Sequence, residues 1–176
     1  YVEFPSQILE RWLTTPQVLT RFALHHQTGE PIPRELTAKI ENASTFRQGF
    51  DTVEYLASAI VDMKLHLAGA RPIDPGAFER ETLAALGMPA EIVMRHRTPQ
   101  FLHIFSSDGY AAGYYSYKWA EVLSADAWSA FEETGTLSVA TGRRLREEIL
   151  EAGGSRTAIE SFTAFRGREP RIDALL

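Results

Sequence analysis

Apolar residues recur at three- and four-residue intervals along almost the whole chain, and no segment alternates apolar with polar residues for more than a few positions. That is the period of a helix and not of a strand, so the chain is read as all-α. Pro5 suits a first turn, and Ile8, Leu9, Trp12 and Leu13 form the stripe of a short helix. Thr15 is placed as the N-cap of a second, with Val18, Leu19, Phe22 and Ala23 on its apolar face and Gly29 beyond its end. A third helix is expected over 33–43. After Ser44 comes a longer helix carrying Phe46, Phe50, Val53, Leu56, Ala57, Ile60 and Met63, which is assigned to the centre of the core. Pro72, Asp74 and Pro75 mark a loop over 69–76, and Gly87 closes a helix over 78–86. A second loop spans 88–99. A long helix is expected from near Tyr110 to Glu133, ended by Gly135, with shorter ones over 143–152 and 158–165. No loop reads as a flexible linker, so residues 1–176 are expected to form a single helical unit.

With 44% apolar residues, 176 residues can bury one sizeable core. The net charge of -5 and the lack of a basic run argue against a nucleic-acid partner. Arg143, Arg144 and Arg146 run directly into Glu147 and Glu148, as on a solvated helix face. No apolar run approaches the roughly 20 residues of a membrane span, so no membrane partner is expected. The absence of cysteine excludes disulfides and thiolate metal sites and is compatible with a reducing compartment; a cytoplasmic location is expected. The chain opens at Tyr1 directly into an amphipathic pattern, and it is expected to be a piece of a longer polypeptide.

Chemistry concentrates between His103 and Trp119, where a histidine, the tyrosines Tyr110, Tyr114, Tyr115 and Tyr117, and the glycines Gly109 and Gly113 crowd together. Tyr110, Tyr114 and Tyr117 stand at i, i+4 and i+7, so a helix would present all three on one face, with Tyr115, Trp119 and Val122 on another. A dry core would need a partner for each hydroxyl, whereas a wet cleft could aim them, with His103, at a ligand that develops negative charge. Ser106, Ser107, Asp108 and Gly109 are turn residues, Asp108 is a possible helix cap, and the glycines leave the backbone room to move. Tyr115, Trp119, Phe46, Phe50 and Trp128 are assigned to the core. His25 and His26 are read as a helix end, and Arg95, His96 and Arg97 as a solvated loop. Neither a nucleophile elbow nor a phosphate-binding glycine motif is present. The histidines at 25, 26, 66, 96 and 103 fall in no H-E-x-x-H or H-x-x-x-H arrangement.

Three segments carry a resemblance. Val2-Glu3-Phe4-Pro5-Ser6-Gln7 with Trp12, the run from Phe101 and His103 through Gly109-Tyr110 and Gly113 to Tyr117 and Trp119, and Phe165-Arg166-Gly167-Arg168-Glu169-Pro170 resemble the thimet oligopeptidase family of zinc metallopeptidases, in its bacterial, oligopeptidase A-like form. The resemblance extends over essentially the whole chain. It implies a helical half-shell from the C-terminal part of a zincin-type catalytic domain. It also implies that Glu3 is the third zinc ligand, the H-E-x-x-H helix lying upstream of Tyr1 in the same polypeptide. His103, Tyr110 and Tyr117 are implied to be catalytic and substrate-binding residues, with Tyr114 and Gly109 also lining the substrate cleft. Without the resemblance, Glu3 reads as a helix-start carboxylate suited to the macrodipole.

The implied function is zinc-dependent hydrolysis of short peptides, in which phenol and imidazole donors stabilise the developing oxyanion. Residues 1–176 alone are expected to be inactive and to expose apolar surface. The alternative is a noncatalytic helical interaction module derived from such a peptidase.

Overall fold

The computed structural model describes residues 1–176, which form helices and turns without a β-sheet; one isolated bridge pairs Leu24 with Pro31. The α-helices are α1 Phe4–Glu10, α2 Pro16–Phe22, α3 Arg34–Ser44, α4 Gln48–Leu67, α5 Pro75–Ala85, α6 Leu102–Phe105, α7 Ser116–Thr134, α8 Val139–Leu145 and α9 Ala158–Arg166. Short 3-10 turns occupy Arg11–Thr14 and Thr98–Gln100, and a π turn Arg146–Leu150 follows α8. The all-α reading therefore holds. The chain divides into two compact units, one made of Tyr1–Lys39 with Ser116–Leu176 and the other of Ile40–Tyr115.

In the first unit, α1 packs against α7, and α7 against α8 and α9. Phe4 and Ile8 from α1, Leu123, Trp128 and Phe131 from α7, Leu145 and Ile149 around the π turn, and Phe162 and Phe165 from α9 make one core. Trp12 closes its edge. Its ring stands edge-on to Trp128 and Phe131, with centroids 4.8 and 4.7 Å away, and its indole N–H donates to the Thr136 carbonyl at 2.7 Å. Leu9 and Leu13 are exposed, so the apolar face of α1 runs through Phe4 and Ile8. Thr15 occupies the N-cap position of α2, but its hydroxyl bonds back to the Trp12 carbonyl at 2.8 Å and does not cap the helix.

The second unit packs α4, α5 and α6 around Ala57, Val61, Leu83, Met94, Phe101 and Ile104. The inward face of α4 is narrow: Ala57, Ser58, Ala59, Val61 and Asp62 are its buried residues. Phe46 and Phe50, assigned to the core from sequence, are instead 72% and 42% exposed, and the Arg47 guanidinium lies 5.9 Å from each ring. Tyr115 and Trp119 are also exposed, and of the five aromatic residues assigned to the core only Trp128 is buried. The cause is one of phase. Small side chains and an aspartate give α4 its close packing, and that turns its bulky residues outward.

Asp74 caps α5, its Oδ1 accepting the Ala77 N–H at 2.6 Å, and Gly87 follows with a φ of 75° that a side chain would strain. Asp74→Ala is expected to lower stability by about 1 kcal/mol. Urea unfolding measures this directly, and an unchanged midpoint would refute it.

Candidate active site

Residues 101–115 cross the second unit as a short helix and a series of turns. Phe101 is buried, and its ring stands edge-on to Tyr114 at 4.8 Å. His103, in α6, meets Tyr110 and Tyr114 edge-on, with ring centroids 5.0 and 5.5 Å apart. His103, Tyr110 and Tyr114 thus form one aromatic cluster, with Tyr110 49% exposed and Tyr114 half-buried. Burial pushes the Tyr114 phenol above its ordinary pKa; nearby Arg95 works against this and Glu54 with it. The phenol therefore keeps its proton, and its capacity to donate, throughout the neutral range.

This cluster does not ride on a helix. The expected helix from Tyr110 begins only at Ser116, and Asp108 caps nothing in it: its carbonyl accepts the Ala111 N–H of a turn at 3.3 Å. Ala112 takes a left-handed backbone with a φ of 55°, incompatible with a continuing helix, and neither Gly109 nor Gly113 has a positive φ. The reason lies fifty residues away. Asp62 of α4 accepts the Ala112 N–H on Oδ1 at 3.1 Å and the Tyr114 N–H on Oδ2 at 3.0 Å, so both amides are committed to a carboxylate and not to a helix. The Tyr55 hydroxyl donates to the Tyr114 carbonyl, and the two tyrosine rings stack at 5.1 Å.

Tyr117 and Glu3 belong to the first unit. Tyr117 sits in the first turn of α7, where its carbonyl accepts the Gln7 side-chain N–H of α1 at 3.2 Å. Glu3 stands at the N-cap position of α1, and Ser6 donates to its backbone carbonyl at 2.9 Å and to its carboxylate at 3.3 Å. The structure thus brings His103, Tyr110 and Tyr114 together in one unit and places Tyr117 and Glu3 on packed helices of the other. No group of three or more His, Cys, Asp or Glu side chains converges in a metal-binding arrangement.

Sequence reasoning missed Tyr55, Asp62 and His66, which hold the 112–114 backbone. A signal was present in Asp62, a lone carboxylate within the apolar run 57–65. In the Arg95-His96-Arg97 loop both arginines are exposed, as expected of a solvated loop, but two of its side chains have buried partners. Arg97 pairs at 2.5 Å with Glu79, whose other oxygen accepts the Thr98 N–H and hydroxyl at 2.8 and 2.9 Å; Glu79 is only 2% exposed. His96 stacks on Phe101 with ring centroids 5.2 Å apart.

The profile of peptidase family M3 matches residues 1–176. The chain is 43% identical over 178 residues to oligopeptidase A of Escherichia coli, covering 99% of this chain and 26% of that protein. It is 41% identical over 180 residues to the dipeptidyl carboxypeptidase of Salmonella typhimurium, covering 100% and 26%. With the probable cytosolic oligopeptidase A of Arabidopsis thaliana it shares 42% identity over 185 residues, 99% of this chain and 26% of the relative. The chain therefore spans about a quarter of the length of the curated relatives it matches.

Proposed function

The chain belongs to peptidase family M3, and from that premise we propose that it forms part of the catalytic domain of a zinc-dependent oligopeptidase that hydrolyses short peptides. The observation that carries this reading is the His103–Tyr110–Tyr114 cluster, which gathers imidazole and phenol groups on a segment held by buried contacts. His103 and Tyr110 are the proposed donors to a peptide carbonyl as it gains negative charge, Tyr114 lines the substrate site beside them, and Gly109 gives a bound peptide close access to the backbone. Tyr117, in the first unit, is proposed as a further donor. The two units are read as parts of one catalytic domain, and a cytoplasmic location belongs to the same reading. No helix is long and apolar enough to cross a membrane.

Zinc, when bound in such enzymes, polarises the scissile carbonyl and activates water. Within residues 1–176 the proposal offers it one ligand, Glu3, and the absence of a converging ligand group means that these residues do not fit the ion by themselves. The remaining ligands are proposed to lie elsewhere in the same polypeptide, a division supported by the quarter-length match to the relatives. The proposed substrates are short peptides, by analogy with relatives named as oligopeptidases.

The test compares the full-length protein with residues 1–176 on a quenched fluorogenic nonapeptide. The full-length protein is expected to cleave it, to lose activity with a chelator and to regain it with zinc, while residues 1–176 show none. Zinc-dependent cleavage by the pure shorter chain overturns the division of ligands. A full-length protein that never cleaves the peptide, or a reading frame without H-E-x-x-H upstream of Tyr1, points instead to the noncatalytic interaction module.

A further inference from the structure

We infer that Asp62 is a positioning residue: it clamps the backbone of Ala112 and Tyr114 and thereby sets where Tyr110 and Tyr114 stand. Asp62 is 0% exposed, and a buried carboxylate is tolerated only when its oxygens are satisfied. Here the partners divide between the two oxygens. Oδ1 takes the Ala112 N–H at 3.1 Å and stands 2.9 Å from His66 Nδ1, while Oδ2 takes the Tyr114 N–H at 3.0 Å. His66 Nδ1 also lies 3.0 Å from the Asp62 main-chain oxygen. The same nitrogen stands 3.3 Å from the Ala112 N, so His66 packs against both the carboxylate and the amide that it holds.

The clamp acts at the strained point of the segment. Ala112 has a φ of 55°, a conformation that costs energy for a residue with a side chain and persists only where the surroundings over-determine it. The two clamped amides flank Gly113, where an added Cβ would meet the Tyr110 carbonyl oxygen at 3.2 Å. The chain is therefore tightly folded between Tyr110 and Tyr114, and Asp62 supplies the acceptors that hold the fold there. Tyr55, also from α4, holds the Tyr114 carbonyl, so both main-chain polar groups of Tyr114 are gripped by one helix. An asparagine would keep the volume but replace one acceptor by an NH2 group facing a backbone N–H. One of the two amides would then lose its carboxylate acceptor.

The catalytic consequence rests on the proposed function; the clamp itself does not. Amide exchange in the unmutated full-length protein tests the clamp, with residue resolution at Ala112 and Tyr114. Both amides are expected to exchange at least about 100-fold more slowly than in an unprotected peptide. Exchange at unprotected rates overturns the inference, whether or not any variant folds.

Asp62→Asn in the full-length protein is expected to speed exchange of at least one of the two amides. It should also lower kcat on the quenched nonapeptide roughly 10- to 100-fold, with KM little changed, at a temperature well below its melting midpoint. Tyr55→Phe, which leaves the carboxylate in place, should give a smaller fall in the same direction. Faster exchange with wild-type kcat removes the positioning role and leaves the proposed function standing. A wild-type protein without peptidase activity overturns the proposed function and the catalytic half of this inference, while exchange still decides whether Asp62 holds the segment.

Discussion

Asp126→Ala is expected to destabilise the protein by about 3–5 kcal/mol, the usual result of removing one partner from a buried ionic cluster. Asp126 lies on α7 with 1% exposure, and its carboxylate gathers three groups from the segment that ends α9. Arg168 donates to both oxygens at 2.7 and 2.5 Å, the Arg171 N–H to Oδ2 at 2.6 Å, and Arg166 Nε to Oδ1 at 3.3 Å. Arg166 also forks onto Glu133 at 3.0 and 2.6 Å. Alanine would leave the Arg168 guanidinium and the Arg171 amide without their acceptor while Arg166 keeps Glu133, which is still a larger penalty than the loss of one surface ion pair.

The same site carries a pH signature. Burial alone would push the Asp126 carboxyl up, but the bonds from Arg168, the Arg171 N–H and Arg166 outweigh it and hold the group below its ordinary value. A carboxyl depressed in the folded state contributes stability that is present above its unfolded pKa, near about 3.9, and is lost as pH falls through the lower folded value. Urea unfolding should therefore show a large gap between wild type and Asp126→Ala at neutral pH, narrowing in acid below that value. Equal midpoints at neutral pH would rule out the cluster as a major source of stability.

Tyr117→Phe in the full-length, zinc-loaded protein is expected to lower kcat/KM on a short peptide roughly 100- to 1,000-fold if Tyr117 is the proposed donor, the usual effect of deleting one such donor to a developing oxyanion. The substitution removes one hydroxyl and leaves the ring. The Gln7 bond to the Tyr117 carbonyl is untouched, and the melting temperature measured alongside separates a loss of stability from a loss of chemistry. Tyr115→Phe is the control: this neighbouring tyrosine is 51% exposed and has no proposed part in the chemistry. Wild-type turnover in Tyr117→Phe at full zinc occupancy would remove the residue from the mechanism.

The helices were legible wherever the signals are local. Pro5 lies in the first turn of α1, Thr15 and Pro16 stand at the start of α2, Gly87 follows α5, although that helix starts at Pro75 inside the expected loop, and α9 ends one residue after its expected limit, at Arg166 before Gly167. Caps and left-handed stops act through bonds to the nearest turn of chain, so neighbouring residues suffice to reveal them. The terminal Phe165–Pro170 segment was legible as a motif but not in its role, because its partner Asp126 lies forty residues or more away along the chain.

The three tyrosines show where sequence stops. Their spacing and the flanking motifs were enough to mark the segment and to point to peptidase family M3, since those depend only on the order of residues. The backbone that carries Tyr110 and Tyr114 was decided in the tertiary structure. Helical spacing predicts a face only if every amide is free to bond four residues back, and here a buried carboxylate on α4 takes the amides of Ala112 and Tyr114. By itself the sequence determined an all-helical chain and the residues worth testing. Asp62, buried and in need of donors, decided that α7 begins after Tyr114, because an unsatisfied buried charge costs more than the turn of helix that was given up.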